Sequence, residues 1–379
     1  MRIAVPREIR SGERRVALVP ESVKKLAKAG IAVAVERGAG EASFLTDSLY
    51  AEAGAELEGD VAALLGGADL VLKVQAPAFN EVLKKHEVDL MREGAMLLAT
   101  LVPARHADVV TKLAERKVTA FAVDLIPRIT RAQSMDTLSS MANIAGYKAV
   151  LIAANHLPRY FPMLMTAAGT VLPAKVFVIG AGVAGLQAIA TAHRLGAAVE
   201  ATDTRPVVKE QVESIGAKFV GVVAEEAQDA SGYAKELSAD FYRKQSELIG
   251  ERCAASDAVI TTALIGGVKA PKLITAEMVK AMKPGSVIVD LAAEAGGNCE
   301  LTQPGRTVVV HGVTICGNEN LPAEVPWHGS TLYSRNLAAF VLAFWKDGAF
   351  ALDLEDEIIR GCLVTHAGEV RTGKPAGKA

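Results

Sequence analysis

Gly180, Gly182 and Gly185 stand at the spacing G-x-G-x-x-G, directly after the apolar run Val176-Phe-Val-Ile179. That pattern suits phosphate chemistry. The first glycine permits a tight turn, the second lets backbone approach a pyrophosphate, and the third lets the next helix pack close to the strand. Val183 and Ala184 lie inside the turn, and the helical pattern over 186–195 aims its first N–H groups at the same phosphates. A second strand pattern, 198–202, ends at Asp203, eighteen residues past the last glycine. An acid there accepts hydrogen bonds from an adenosine ribose and repels a 2′-phosphate. Arg205 follows Thr204 and has the charge to neutralise that phosphate. The place of Asp203 at the strand end favours NAD(H) over NADP(H).

A second chemically capable segment is Arg128-Ile-Thr-Arg-Ala-Gln-Ser-Met-Asp-Thr-Leu-Ser139. Guanidinium, amide, carboxylate and hydroxyl groups can grip a carboxamide and a ribose. Taken alone, the segment also reads as a solvated connector in which Asp136 or Ser139 caps the next helix.

These residues need a scaffold to position them. Apolar strand patterns at 3–5, 32–36, 70–74, 95–99 and 119–123 alternate with helical segments, which implies a parallel sheet. That first region lacks the glycine motif. The stretch 139–157 reads as a long helix crossing between domains. Further strands follow at 258–262, 286–290 and 313–316, and a helix at 335–347 returns to the first domain. The expected fold is α/β, with two Rossmann-like, doubly wound parallel-sheet domains separated by a cleft. The expected domains are 1–138 with 330–379, and 139–329. The tail after Gly368 is polar and reads as frayed.

Length and composition set the outer bounds. A chain of 379 residues suggests two domains. It is 50% hydrophobic and 22% charged with a net charge of −2, which favours neither nucleic acid nor an anionic membrane surface. The mean hydropathy of +0.25 raises the question of a membrane span. However, the longest apolar run, 337–345, falls far short of the ~20 residues a span requires. The first residues read as a strand rather than a leader. Cys253, Cys299, Cys316 and Cys362 show no C-x-x-C spacing and read as reduced thiols of a cytoplasmic protein, with no metal centre expected.

Three further segments carry a resemblance. The 128–139 segment, Gly232-Tyr-Ala-Lys-Glu236 and Asp290-Leu-Ala-Ala-Glu-Ala-Gly-Gly-Asn298 join Pro6-Arg-Glu8 and Glu13-Arg-Arg-Val-Ala-Leu18. Together they resemble the alanine dehydrogenase and transhydrogenase superfamily over nearly the whole chain. The likeness is greatest to the NAD(H)-binding α-subunit component of proton-translocating transhydrogenases, in the split form whose membrane part is a separate chain. The resemblance implies that Arg128, Gln133, Ser134, Asp136 and Ser139 lie beside the nicotinamide, with Arg128, Gln133 and Asp136 in the catalytic positions. It implies that Gly180 to Gly185, Asp203, Thr204 and Arg205 hold the pyrophosphate and ribose. Gly232 and Tyr233 would sit on a mobile lid, and Gln245, Ala263 and Leu264 would add nucleotide contacts. It also implies a homodimer, an NADP(H)-binding β subunit and a small membrane α-subunit part as partners, at the cytoplasmic face of the inner membrane.

Hydride transfer between two nicotinamides needs no general acid, because the cofactors carry the reaction. The protein must bring two rings to within roughly 3–3.5 Å. Alanine dehydrogenases are the rival reading. They share residues matching Arg15 and Lys73, but they use a catalytic histidine whose place here falls at Val102. Reductive amination requires such an acid. His106 is close in sequence and reads instead as a polar position starting a helix. Arg15 and Lys73 then read as members of buried ion pairs or helix-end contacts. A third reading is a non-enzymatic NAD-sensing module.

Overall fold

The computed structural model describes residues 1–221, 239–264 and 269–371. The chain divides into two compact units, Met1–Met141 with Ala323–Ala379, and Ala142–Pro322.

The first unit is built on an eight-stranded sheet. Across the sheet run Glu56–Glu58, Ala32–Glu36, Arg2–Val5, Leu70–Leu72, Met96–Ala99 and Thr119–Ala122, all parallel. Two antiparallel strands, Leu363–His366 and Glu369–Val370, complete it. Parallel strands are covered on both faces and so read as near-continuous apolar runs. Side chains alternate between two cores: Ile3, Val5, Val33 and Val35 enter one, and Ala4, Ala34, Val71 and Leu97 enter the other. Helices close both faces. Pro20–Lys28 starts on a proline and buries Ser22, Val23 and Leu26, while Ala107–Glu115 buries Val109, Val110 and Leu113.

The helix Pro326–Ala343 covers one face of this sheet with Tyr333, Leu337, Phe340 and Val341. It starts nine residues before the expected 335. Its first turns are polar in composition, yet Ser330 and Ser334 are fully buried. Their hydroxyls accept the amides of Val16 and Val19 at 3.0 and 2.9 Å. For that reason the boundary falls at 322/323 rather than 329/330. The helix Thr137–His156 spans the other boundary, at 141/142, close to the expected 139–157. The C-terminal segment also departs from expectation. Glu369–Val370 pairs with Thr365 and His366, so the tail is ordered past Gly368, and residues 372–379 lie outside the described ones.

The second unit carries a seven-stranded sheet. Its order is Lys218–Phe219, Ala198–Thr202, Lys175–Ile179, Ala258–Thr261, Val287–Asp290 and Val313–Cys316, all parallel, with Thr307–Val310 antiparallel at the edge. The wholly parallel sheets expected from the strand–helix alternation are therefore modified by antiparallel edge strands. A two-stranded hairpin, Leu164–Thr166 with Gly169–Val171, stands outside the sheet and is exposed along its length. Among the described residues, no helix is long and apolar enough to cross a membrane.

Tyr333 anchors the Pro326–Ala343 helix to the strand ends beneath it. Its hydroxyl accepts the Thr100 amide at 3.1 Å and lies 3.2 Å from the carbonyls of Lys73 and Val74. Tyr333→Phe leaves a buried amide and buried carbonyls without that partner. We expect a loss of about 1–3 kcal/mol in the unfolding transition of the first unit, measured by denaturant titration.

Candidate functional site

In the second sheet the chain turns in two directions from its centre. After Lys175–Ile179 it adds Ala198–Thr202 and Lys218–Phe219 on one side, then crosses to Ala258–Thr261 on the other. Open α/β sheets bind ligands at the carboxyl ends of the strands where this reversal occurs. The glycine turn lies there.

The three glycines do different things. Gly180 has φ +92°, and a Cβ on it would stand 2.6 Å from Thr262 Oγ1. A Cβ on Gly185 would stand 1.9 Å from the Gly180 carbonyl oxygen, so the helix Val183–Arg194 lies almost against the strand end. Gly146, on the helix Thr137–His156, makes a similar approach: its Cβ would meet the Ala184 carbonyl oxygen at 2.0 Å. Gly182 is unlike these. A Cβ there would find only Arg205 Nη2, at 3.7 Å. Gly180 and Gly185 are therefore glycines because protein surrounds them, whereas Gly182 faces open space.

Gly182 is also the N-cap of Val183–Arg194, and no side chain caps that helix. The first N–H groups of a helix have no partner within it and carry partial positive charge. A bare, uncapped helix start behind a glycine fits a phosphate.

Asp203 closes the other side of the turn. Its Oδ2 accepts the Ala181 amide at 2.8 Å, and its Oδ1 accepts the Arg205 amide at 2.9 Å. Arg205 adds its side chain, with Nε 3.0 Å from Oδ1 and Nη2 3.0 Å from Oδ2. Burial works against the carboxylate's charge, but the Arg205 guanidinium and the Ala181 amide outweigh it and hold the pKa below the usual range. Thr204 lies between the two residues and is partly exposed.

The opposite wall follows Ala258–Thr261. Thr262 Oγ1 donates to the Gly180 carbonyl at 2.9 Å. Asn298 clamps Ala263 on both sides, accepting its amide at 3.1 Å and donating to its carbonyl at 2.8 Å. Asp290 braces the segment before Asn298 by accepting the Thr261 and Thr302 hydroxyls and the Ala292 and Cys299 amides. Leu264 is exposed beside Ala263. Thr262, Asn298 and Gly146 were not among the expected site residues. Asn298 ends the 290–298 motif, but its partner Ala263 is 35 residues away and invisible to local pattern.

Gln245 is half-buried on the helix Ala239–Ala255, and no hydrogen bond among the described residues ties it to the glycine turn. Gly232 and Tyr233, expected on a lid, lie outside the described residues.

The polar segment belongs to the first unit. Thr130–Met135 forms a short 3-10 helix that buries Ala132 and Met135 and leaves Gln133 and Ser134 exposed. It is fixed from outside: Asn336 Nδ2 donates to the Ser134 carbonyl at 2.8 Å, and Arg131 pairs with Asp356 at 2.7 Å. Arg128 is exposed. Asp136 accepts the Ser139 amide at 2.8 Å and the Ser139 hydroxyl at 2.6 Å, capping the first turn of Thr137–His156. The structural capping role expected as one alternative for these two residues is therefore real.

The first sheet has the same reversal, between Arg2–Val5 and Leu70–Leu72, but charge fills it. Lys73 Nζ lies 2.8 Å from Glu87 and 3.3 Å from Glu8, all of them buried. Burial opposes the Lys73 charge, but the two carboxylates outweigh it and push the pKa up, while burial and the Glu87 charge push Glu8 up. Arg15 Nη2 pairs with Glu13 at 2.6 Å, and Gln75 donates to the same Glu13 oxygen at 2.8 Å. Against the pull of burial, Arg15 takes the Glu13 carboxyl down to about 2. Val102 occupies the position expected for a catalytic acid. It has φ +43°, an outlier for a β-branched residue, and the Leu101 and Val102 amides both donate to Asp124. His106 caps the helix Ala107–Glu115 by position without a side-chain bond.

Residues 4–145 match the alanine dehydrogenase/PNT N-terminal domain, and residues 149–373 match the C-terminal domain of the same family. The chain belongs to the alanine dehydrogenase/PNT family. The first of the split alpha-subunit chains of NAD(P) transhydrogenase from Rhodospirillum rubrum is 52% identical over 375 residues, covering 98% of this chain and 97% of its own. A crystal structure of transhydrogenase from Sinorhizobium meliloti superimposes with a TM-score of 0.89 at 46% identity, over 98% of this chain and 100% of that one. Alanine dehydrogenase 2 of Staphylococcus aureus (strain USA300) is a more distant relative, 33% identical over 344 residues, or 89% of this chain and 85% of its own.

The glycine geometry separates folding from binding. Gly182→Val is expected to fold and to weaken NADH by on the order of tenfold or more, the loss of one charge-assisted phosphate contact. Gly185→Ala is expected to destabilise the second unit by about 3 kcal/mol or more, because backbone must move to admit the methyl group. Thermal unfolding followed by circular dichroism, with calorimetric NADH titration, reads both effects.

Proposed function

We propose that this chain is the NAD(H)-binding subunit of a proton-translocating transhydrogenase. It exchanges a hydride between its own NAD(H) and NADP(H) held by a partner β subunit, and separate membrane chains couple that exchange to proton movement. The carrying observation is the uncapped helix start behind Gly182, facing open space beside the Asp203 carboxylate. The 52% identity to a transhydrogenase alpha-subunit chain supports the assignment of reaction.

Bound nicotinamides supply the redox chemistry themselves. The residues of this chain bind and orient. Gly180, Gly182, Val183, Ala184 and Gly185 receive the pyrophosphate with backbone alone. Asp203 and Thr204 take the adenosine ribose, and Ala263 and Leu264 form the wall held by Asn298. Arg128, Gln133, Ser134 and Ser139 serve the nicotinamide end. Gln133 is the strongest of these, because it is exposed on a short helix that Asn336 and Asp356 pin down. Asp136 contributes through its cap on Ser139 as well as by any contact of its own. Gln245 and the Gly232–Tyr233 lid are carried by the family resemblance.

The chain acts as a homodimer docked on the β subunit, peripheral at the cytoplasmic face through its partners and the small membrane α-subunit part. The exposed hairpin supports self-association: Met165 and Leu172 are 72% and 77% exposed, an unusual cost for a monomer.

Alanine dehydrogenation is the weaker reading. Arg15 is already committed to Glu13 and Lys73 to Glu8 and Glu87, and Val102 offers no proton. We expect no pyruvate- and ammonia-dependent NADH oxidation by the purified chain. We expect hydride transfer when it is mixed with an NADP(H)-binding β subunit. Gln133→Asn retracts the amide by one methylene, and a ~1 Å displacement costs roughly 100-fold in rate. Single-turnover transhydrogenation should fall accordingly while NADH affinity stays close to wild type. A variant that loses affinity and keeps its transfer rate would assign Gln133 to ground-state binding instead.

A further inference from the structure

The Asp203 carboxylate has about four lone-pair sites, and donors fill them. Two are backbone amides, of Ala181 and Arg205, at 2.8 and 2.9 Å. The other two are Nε and Nη2 of the Arg205 side chain, each at 3.0 Å. The amides belong to the turn and the strand end and stay where the fold puts them. Only the guanidinium can leave, and a ribose diol brings two hydroxyl donors to replace it. The same guanidinium lies over the phosphate turn, with Nη2 3.7 Å from the position a Gly182 Cβ would take.

We propose that Arg205 is the residue that decides between NAD(H) and NADP(H), through its pairing with Asp203. The inference rests on the nucleotide site assigned above and concerns its selectivity. Binding is an exchange on Asp203: the ribose hydroxyls take the two oxygen faces that Nε and Nη2 vacate, and the displaced cation remains beside the pyrophosphate. While Asp203 is charged, Arg205 is neutralised and withheld from a 2′-phosphate, and the carboxylate repels that phosphate directly. Without the carboxylate, the guanidinium loses this counter-charge at the strand end, where an arginine accommodates a 2′-phosphate. Repulsion by Asp203 alone makes a different prediction. In that case removing the acid would relieve NADPH binding equally with or without Arg205.

The test is equilibrium titration of NADH and NADPH into wild type, Asp203→Asn, Arg205→Ala and the double variant, with thermal unfolding to show that each is folded. Asp203→Asn is nearly isosteric and keeps an acceptor for the Ala181 amide; Asp203→Ser is the second route should it fail to fold. Wild type should prefer NADH. Asp203→Asn should tighten NADPH by about tenfold or more, the scale of a charge-assisted hydrogen bond, while NADH weakens. The double variant should lose most of the NADPH gain. An unchanged NADPH affinity in Asp203→Asn, or a gain that persists in the double variant, overturns the role of Arg205. Failure of wild type to bind NADH would instead overturn the nucleotide site itself.

Discussion

A helix can offer its N–H groups to a phosphate only if its first turn reaches a strand end with no side chain in between. In the second unit that requirement is met within tenths of an ångström. Gly185 sits so close to the Gly180 carbonyl that no Cβ fits, and Gly146 leaves equally little space at Ala184. Thr262 fastens the turn to the neighbouring strand through the Gly180 carbonyl. The other site features depend on this approach. It leaves Gly182 facing outward and the helix start uncapped, and it carries Ala181 to within hydrogen-bond distance of Asp203.

The two sheets share a winding order yet differ in what lies at the reversal point. In the second, backbone donors face open space. In the first, Lys73, Glu8 and Glu87 neutralise one another, and Glu13 holds Arg15 with help from Gln75. Removing one partner from such a buried set leaves an uncompensated charge and costs several kcal/mol. A small carboxylate entering there would have to pull Arg15 from Glu13, whose low pKa reflects the strength of that pairing. One fold thus carries a nucleotide crevice in one unit and a self-satisfied polar core in the other. This difference separates a transhydrogenase-type chain from its amino-acid dehydrogenase relatives.

Features set by short-range geometry were legible in the sequence. The glycine turn, the strand 198–202 and Asp203 lie within one stretch, and each is dictated by a steric or charge requirement of its neighbours. The long helix at 137–156 announced itself by composition. What escaped depends on partners far along the chain. Ser330 and Ser334 look like surface residues until the amides of Val16 and Val19 are found against them, so the helix Pro326–Ala343 was expected to start too late. The strand Leu363–His366 is apolar enough to pair anywhere; only the free edge at Thr119–Ala122 gives it an antiparallel place. Asn298 stands out as the end of a motif, but its clamp on Ala263 required the fold. For Asp136, sequence allows both a ligand contact and a helix cap, and the fold supplies the cap through Ser139.

The central claim is that the second unit's reversal point is the nucleotide site and the first unit's is closed. A crystal structure of the chain with NADH bound tests it most directly. The account predicts pyrophosphate density at the start of Val183–Arg194, adenosine ribose hydroxyls on Asp203, and the Glu13–Arg15 and Lys73–Glu87 pairs intact. Nucleotide density at the ends of Arg2–Val5 and Leu70–Leu72, or a ribose remote from Asp203, would contradict it.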